Sequence, residues 1–249
     1  MNGVRSIPWI DVVRTGRLAA TGLSAIGILS LLPGAAHASN FRVSPVTLTL
    51  PAGRLVGSLS ITNGEDVPVS IKVGTYRWTQ VDGRDVYTPT DDIIAAPPIF
   101  TAAGKAVQLI RVGLRRTVAS AAYRVVLEEI PRATAKGISV TVNLDLPLYV
   151  VAANAAPANV QWTARRAADS TVLLEGRNTG GTPKQVLAIG LSGPATPTIV
   201  SSAMGVVLPA SMRQWNIGKH PDWIAGAPLH LTLRTAAGPE EVAANLSAG

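Results

Sequence analysis

Residues 138–150 of this chain read ISVTVNLDLPLYV, and no other stretch restricts its fold as tightly. Ile138, Val140, Val142, Leu144, Leu146 and Leu148 are apolar at every second position, with Ser139, Thr141, Asn143 and Asp145 between them. Side chains of an extended strand alternate between two faces, so this period gathers the six into one row. A helix would spread them around its circumference. The segment is therefore expected to be a strand. Two readings of the row stay open at this point: it covers the protein's own core, or it is offered to something else.

Short runs of β-forming residues recur before it at regular spacing. Residues 41–50 lead to the turn Pro51-Ala52-Gly53, and residues 55–61 close at Asn63-Gly64, a hairpin or turn signal. Residues 67–78 carry Val69, Ile71 and Val73 on one face and precede a turn at Asp82-Gly83. Residues 92–104, with Pro97-Pro98 and Gly104, read as a loop of extended character. Residues 105–114 and 122–130 are further strands; Pro131 ends the second, and residues 132–137 form a polar connection into the alternating stretch. About seven strands in roughly 110 residues, with no amphipathic helix, predict an immunoglobulin-like β-sandwich.

Residues 151–157 (VAANAAP) are short, uncharged and Ala-rich, and read as a hinge. Beyond them, residues 160–164, 171–177, 185–191, 205–208, 212–217 and 229–233 are β-type runs. Asn178-Thr179-Gly180-Gly181, Gly193-Pro194 and Gly238-Pro239 punctuate them, and the tail from Glu240 receives no role. The expected fold is all-β: two immunoglobulin-like β-sandwich domains, 39–151 and 157–249, joined by a short hinge.

The N-terminus carries Arg5, Arg14 and Arg17, then an uncharged, apolar stretch over residues 18–36 that ends in Ala36-His37-Ala38. This is the pattern of a secretory signal cleaved after Ala38. A permanent anchor is the weaker reading, because Pro33, the Gly content and the A-x-A ending favour cleavage. No stable membrane insertion is expected afterwards. Three Arg and one Asp fall in the first 38 residues, so 19 basic and 14 acidic residues remain, a net charge of +5. That excess is modest and forms no basic run interleaved with aromatics, which excludes a typical nucleic-acid binder.

Residue types that carry chemistry are scarce. The chain has no cysteine, which removes disulfides, thiolate metal ligands and Cys nucleophiles together. Of three His, His37 goes with the leader, leaving His220 and His230 apart in sequence. No H-E-x-x-H, G-x-S-x-G or phosphate-loop spacing occurs. Glu128 and Glu129 are adjacent, so on a strand they face opposite sides and cannot work as a carboxylate pair. No catalytic or metal-binding residue is nominated, no cofactor is expected, and the chain does not read as an enzyme.

Several segments of the first domain, taken in order, form a recognisable series. They are Phe41-Arg42-Val43-Ser44-Pro45, Ile61-Thr62-Asn63, and Ala96-Pro97-Pro98-Ile99-Phe100 followed by Ala103-Gly104. Tyr123-Arg124-Val125-Val126-Leu127-Glu128-Glu129-Ile130-Pro131 comes next, ahead of the alternating stretch. The series resembles the periplasmic chaperones of the chaperone–usher pathway, which assemble surface pili, and the resemblance covers residues 40–249. It implies a chaperone that binds, folds and caps pilus-type subunits by donor-strand complementation and delivers them to an outer-membrane usher. It also implies that the last strand of the first domain is offered, with Ile138, Val140, Val142, Leu144 and Leu146 as the subunit-binding row.

This chain departs from the better-known members at one point. Those members hold the subunit's C-terminal carboxylate with an Arg in the first strand and a Lys near the end of the last. Here Thr47 and Pro147 stand in those places, and neither is charged. The L-P-L-Y-V ending resembles the divergent branch associated with spore-coat-U-like subunits. Arg124 is the first candidate for the carboxylate anchor, with Arg42 and Arg111 behind it; each also reads as a solvated strand Arg. The competing interpretation is an exported structural or carbohydrate-binding two-domain β-sandwich, in which the row is core.

Overall fold

The computed structural model describes residues 40–131, 141–192 and 198–248. The expected leader, the connection at 132–137, Ile138, Val140 and the Gly193-Pro194 pair lie outside the described residues. The first half holds strands β1 (Phe41–Ser44), β2 (Leu48–Pro51), β3 (Val56–Asn63), β4 (Val69–Val81) and β5 (Arg84–Pro89). It continues through β6 (Ile93–Ala96), β7 (Ile99–Ala102), β8 (Val107–Leu114), β9 (Ala121–Glu129) and β10 (Asn143–Val151). A four-stranded sheet, β1-β3-β8-β6, packs against a six-stranded one, β2-β10-β9-β4-β5, in which β7 also pairs with β4.

Alternation decides which face of each strand is buried. Leu59 and Ile61 of β3 and Ile110 and Val112 of β8 meet Ile71, Val73, Tyr123, Val125, Leu127 and Leu148 of the other sheet in one core. Each such aliphatic side chain withdrawn from water contributes about 1.5–3 kcal/mol. The sheets approach closely at Gly57, where an added Cβ would stand 3.1 Å from Leu50.

Prolines direct the traffic between sheets. The single run expected at 41–50 is two strands: Pro45 follows β1, which pairs with β3, and the chain crosses over so that β2 pairs in parallel with β10. Residues 92–104, expected to be a loop, contain β6 on the four-stranded sheet and β7 on the six-stranded sheet. Pro97-Pro98 makes the corner between them. Only two buried residues mark each strand, Ile93 with Ala95 and Phe100 with Ala102, too short a period to read from sequence. Asp82 and Gly83 both have positive φ, 49° and 74°, which closes a two-residue hairpin between β4 and β5.

Asn63-Gly64 is a turn and not a hairpin, since β3 pairs with β1 and β8 but not with β4. The fully buried Asn63 amide donates to the carbonyls of Val67, Ala102 and Ala103 at 2.9–3.2 Å, and its oxygen accepts the Glu65 N–H at 2.9 Å. It ties the β3–β4 connection to the end of β7.

The second half comprises β11 (Val160–Arg166), β12 (Thr171–Asn178), β13 (Lys184–Val186), β14 (Ala188–Leu191), β15 (Thr198–Ser201), β16 (Gly205–Val207), β17 (Met212–Lys219), β18 (Pro228–Thr235) and β19 (Gly238–Ala248). Seven strands run in the order β15-β14-β18-β19-β11-β12-β17, and β13 pairs with β16. A separate core centres on Val172, Leu174, Ile189, Trp215, Ile217, Leu231 and Leu233. The tail left without a role from sequence is β19, an eleven-residue strand between β18 and β11 with Ala244 and Leu246 buried. Its inward row is diluted by alanine and opens on Glu240-Glu241, so its hydrophobic alternation is faint. Asn178 repeats the device of Asn63: its amide donates to Thr182 and Val207, and its oxygen accepts from Asn159 and Gly180.

Replacing Asn63 with Ala strands three carbonyls and one N–H. It is expected to lower unfolding stability by about 3 kcal/mol, read from urea denaturation midpoints at an unchanged slope.

Candidate functional site: an open strand edge beside a stacked arginine

The apolar row of β10 changes role along its length. Leu148 and Val150 are buried in the first core, Leu146 is only 7% exposed there, and Leu144 packs partly against it. Val142, just before β10, is half-buried. Of the five residues nominated for the subunit-binding row, Leu146 therefore belongs to this protein's own core in the free chain. Leu144 and Val142 lie progressively further from it.

Pairing differs on the two sides of β10. Along one side β9 accompanies it from Asn143 to Val150. Along the other, β2 covers only Leu148 to Val151. Among the described residues, no strand pairs with the β2-side edge over 143–147. Glu129 N–H donates to the Val142 carbonyl at 3.1 Å, which fixes the phase of the ladder. Hydrogen-bonded pairs alternate, so the backbone groups of Val142, Leu144 and Leu146 face β9, while those of Asn143, Asp145 and Pro147 face the open edge. A proline is tolerated at 147 because its missing N–H falls on that edge.

The face of the six-stranded sheet turned away from the core carries Asp145, Pro147 and Tyr149 of β10 beside Arg124 of β9. Arg124 sits opposite Pro147, with a side chain only 15% exposed. Its Cζ lies 3.8 Å from the Trp78 ring centroid and 5.5 Å from that of Tyr87, and Nη1 is 3.5 Å from Asp145 Oδ1. Its Nε is buried without a hydrogen-bond partner among the described residues. Burial pushes the Asp145 carboxyl above its ordinary value, against the pull of Arg124. The same cause pushes the Tyr149 phenol up to about 12, again with Arg124 opposing.

The patch borders the second half of the molecule. Trp78, Ala122 and Tyr149 pack with Val206 and Leu208. Gln80 donates to the Val206 carbonyl at 2.6 Å and accepts the Leu208 N–H at 3.0 Å, and Gln214 N–H reaches the Gly83 carbonyl at 3.0 Å. Asp85 is paired with Arg213 and accepts from Gln80 and Trp78. Burial raises its carboxyl, but those hydrogen bonds outweigh it and hold the group below its ordinary range.

The three arginines nominated as anchors separate. Arg42 and Arg111 are exposed on the four-stranded sheet, opposite Thr62 and Ser58 respectively. Only Arg124 shares a sheet with β10. Thr47 directly precedes Leu48, the first β2 residue opposite Leu148, and Pro147, opposite Arg124, directly precedes Leu148, so these positions flank the point where the open edge stops. Sequence reasoning missed Trp78, Tyr87, Tyr149 and Asp85. The aromatic series Tyr76, Trp78 on the polar phase of β4 was the one available signal. Among the described residues, no group of three or more His, Asp or Glu is placed to hold a metal ion.

Two successive immunoglobulin-like β-sandwiches, the first ending in a strand with half of one edge open, define a class of tandem-sandwich protein with an exposed pairing edge. Residues 40–152 match the family model described as pili and flagellar-assembly chaperone, PapD N-terminal domain, so this segment is similar to the N-terminal domain of the pilus-assembly chaperones. That family is made of chaperones, not enzymes. Solved structures show the fold extending over the whole described chain. One is the Csu chaperone–tip adhesion subunit pre-assembly complex of Acinetobacter baumannii, from archaic chaperone–usher pili, at 16% identity and TM-score 0.65, covering 83% of this chain and 99% of that one. A second is the Salmonella enterica SafA pilin in complex with the SafB chaperone, at 14% and 0.60, covering 84% and 98%. A third is the Escherichia coli chaperone DraB, at 16% and 0.57, covering 84% and 97%. No curated protein sequence matches the chain.

Because Tyr149 holds its proton more tightly folded than unfolded, its contribution to stability is complete below pH 10 and is lost as pH rises toward about 12. Ultraviolet titration is expected to show one phenol titrating near 12 that disappears in Tyr149→Phe. Arg124→Leu is expected to move that phenol further upward.

Proposed function

We propose that this protein is a periplasmic chaperone that binds, folds and caps pilus-type subunits of the spore-coat-U-like kind by donor-strand complementation, and delivers them to an outer-membrane usher. The observation that carries the proposal is the half-open β10. A subunit lacking one strand has unpaired backbone groups and an uncovered apolar groove. The outward N–H and C=O groups of Asn143 and Asp145 meet the first need, and Val142 and Leu144 the second. Ile138 and Val140 continue the same row in sequence. Leu146, buried at home, roots the row and sets the height of the residues before it. Each apolar side chain that enters the groove contributes about 1.5–3 kcal/mol, and several together offset the cost of association.

The subunit strand ends where β2 begins, beside Pro147 and Arg124. Arg124 stands opposite Pro147 on the same sheet, whereas Arg42 and Arg111 lie on the other sheet, which supports it over them as the carboxylate anchor. A terminal carboxylate there takes over the place of Asp145, whose own charge is disfavoured by burial.

Co-expression in a periplasm with a spore-coat-U-like exported subunit tests the proposal. Wild type is expected to retain a subunit through purification, and the double variant Val142→Glu, Leu144→Glu to lose it while melting cooperatively. Leu146→Glu is expected to unfold the first half. Normal capture by the double variant would sink the proposal.

A further inference from the structure

Resting on the chaperone reading, we propose that Glu129 is a positioning residue: its side chain supplies the last rung that holds the offered strand in register. Glu129 is the final residue of β9, one step beyond the pair Glu128–Asn143, and its hydrogen bonds reach Val142. Its N–H donates to the Val142 carbonyl at 3.1 Å, and its Oε2 accepts the Val142 N–H at 3.0 Å. An ordinary antiparallel rung exchanges two main-chain bonds. Here a carboxylate takes one of the two places, and regular pairing begins one residue later, at Asn143 opposite Glu128.

The neighbouring residues explain why a side chain is used. β9 donors alternate between β10 and β4. Ile130 N–H turns to β4 and meets the Ser70 carbonyl at 2.9 Å. The next donor due toward β10 is residue 131, a proline with none. Past Glu129 the ladder therefore lacks its next β9 donor, while the row must stay extended through Val142 to be presented. A charge-assisted bond to the Val142 amide, stronger than a neutral one, holds that residue in the strand. The E-I-P segment acquires three separate jobs: Glu129 closes the β10 ladder, Ile130 pairs with β4, and Pro131 ends both.

Glu129 continues the phase of Tyr123, Val125 and Leu127, so its carboxylate lies on the face that carries the apolar row. On that face its Oε2 is engaged by the Val142 N–H. Without it, residue 142 must be ordered at the moment of binding, a cost of about tenfold in affinity for one residue.

Hydrogen exchange followed by NMR on the whole protein separates this role from general stability. In Glu129→Ala the Val142 amide is expected to exchange about tenfold faster, with the Leu127 amide unchanged. Glu129→Gln, which keeps an acceptor, is expected to restore slow exchange. Affinity for the exported subunit that co-purifies with wild type is expected to fall about tenfold in Glu129→Ala and recover in Glu129→Gln. Unchanged Val142 exchange in Glu129→Ala overturns the proposal, as does faster exchange with undiminished affinity. Equal acceleration at Leu127 also overturns it, because the carboxylate would then be holding the ladder generally. Failure of wild type to retain any subunit overturns the chaperone reading, while the exchange comparison still decides the rung.

Discussion

β10 is held along nearly its full length by β9 and over only its second half by β2, and the first half of the protein is arranged to keep it so. The limit comes from Pro45, after which the chain changes sheets and reaches β10 only at Leu48. Had β1 and β2 formed one strand on the six-stranded sheet, the edge would be covered. The same interruption of the strand that lets one run serve two sheets leaves β10 half open.

An open edge normally invites indiscriminate pairing, and proteins blunt it with charge, proline or brevity. This edge has all three: Asp145, Pro147 and a length of five residues before β2. Behind it, Arg124 is fixed between Trp78 and Asp145, and Trp78 is fixed in turn by Asp85 and by Val206 and Leu208 of the second half. The connection between the halves is thus not a chain link alone. Gln80 inserts its amide between Val206 and Leu208 much as a neighbouring strand would, so the outer face of the first sandwich and the second sandwich share a hydrogen-bonded seam.

Much of this was legible in the sequence because period-two alternation and turn residues are local signals. The strand at Asn143–Val151, the turns at Asn63-Gly64 and Asp82-Gly83, and the two-sandwich architecture follow from them. The division of the row was not legible, because Leu144 and Leu146 look alike on any local scale. What separates them is the point at which β2 arrives, a property of residues a hundred positions away. Arg124 could be named from sequence, but its stacking on Trp78 and Tyr87 depends on strand order. β19 escaped because alanines and paired glutamates weaken its alternation, although it occupies the middle of its sheet.

Pro147 has a consequence of its own. Its place in the ladder turns a missing hydrogen atom into a ruler. A strand laid along the edge finds two complete rungs, at Asn143 and Asp145, and then a rung that can accept but not donate. The span on offer among the described residues is therefore counted out in the covalent chemistry of β10. Beyond that point the edge belongs to β2, and an added strand must end there.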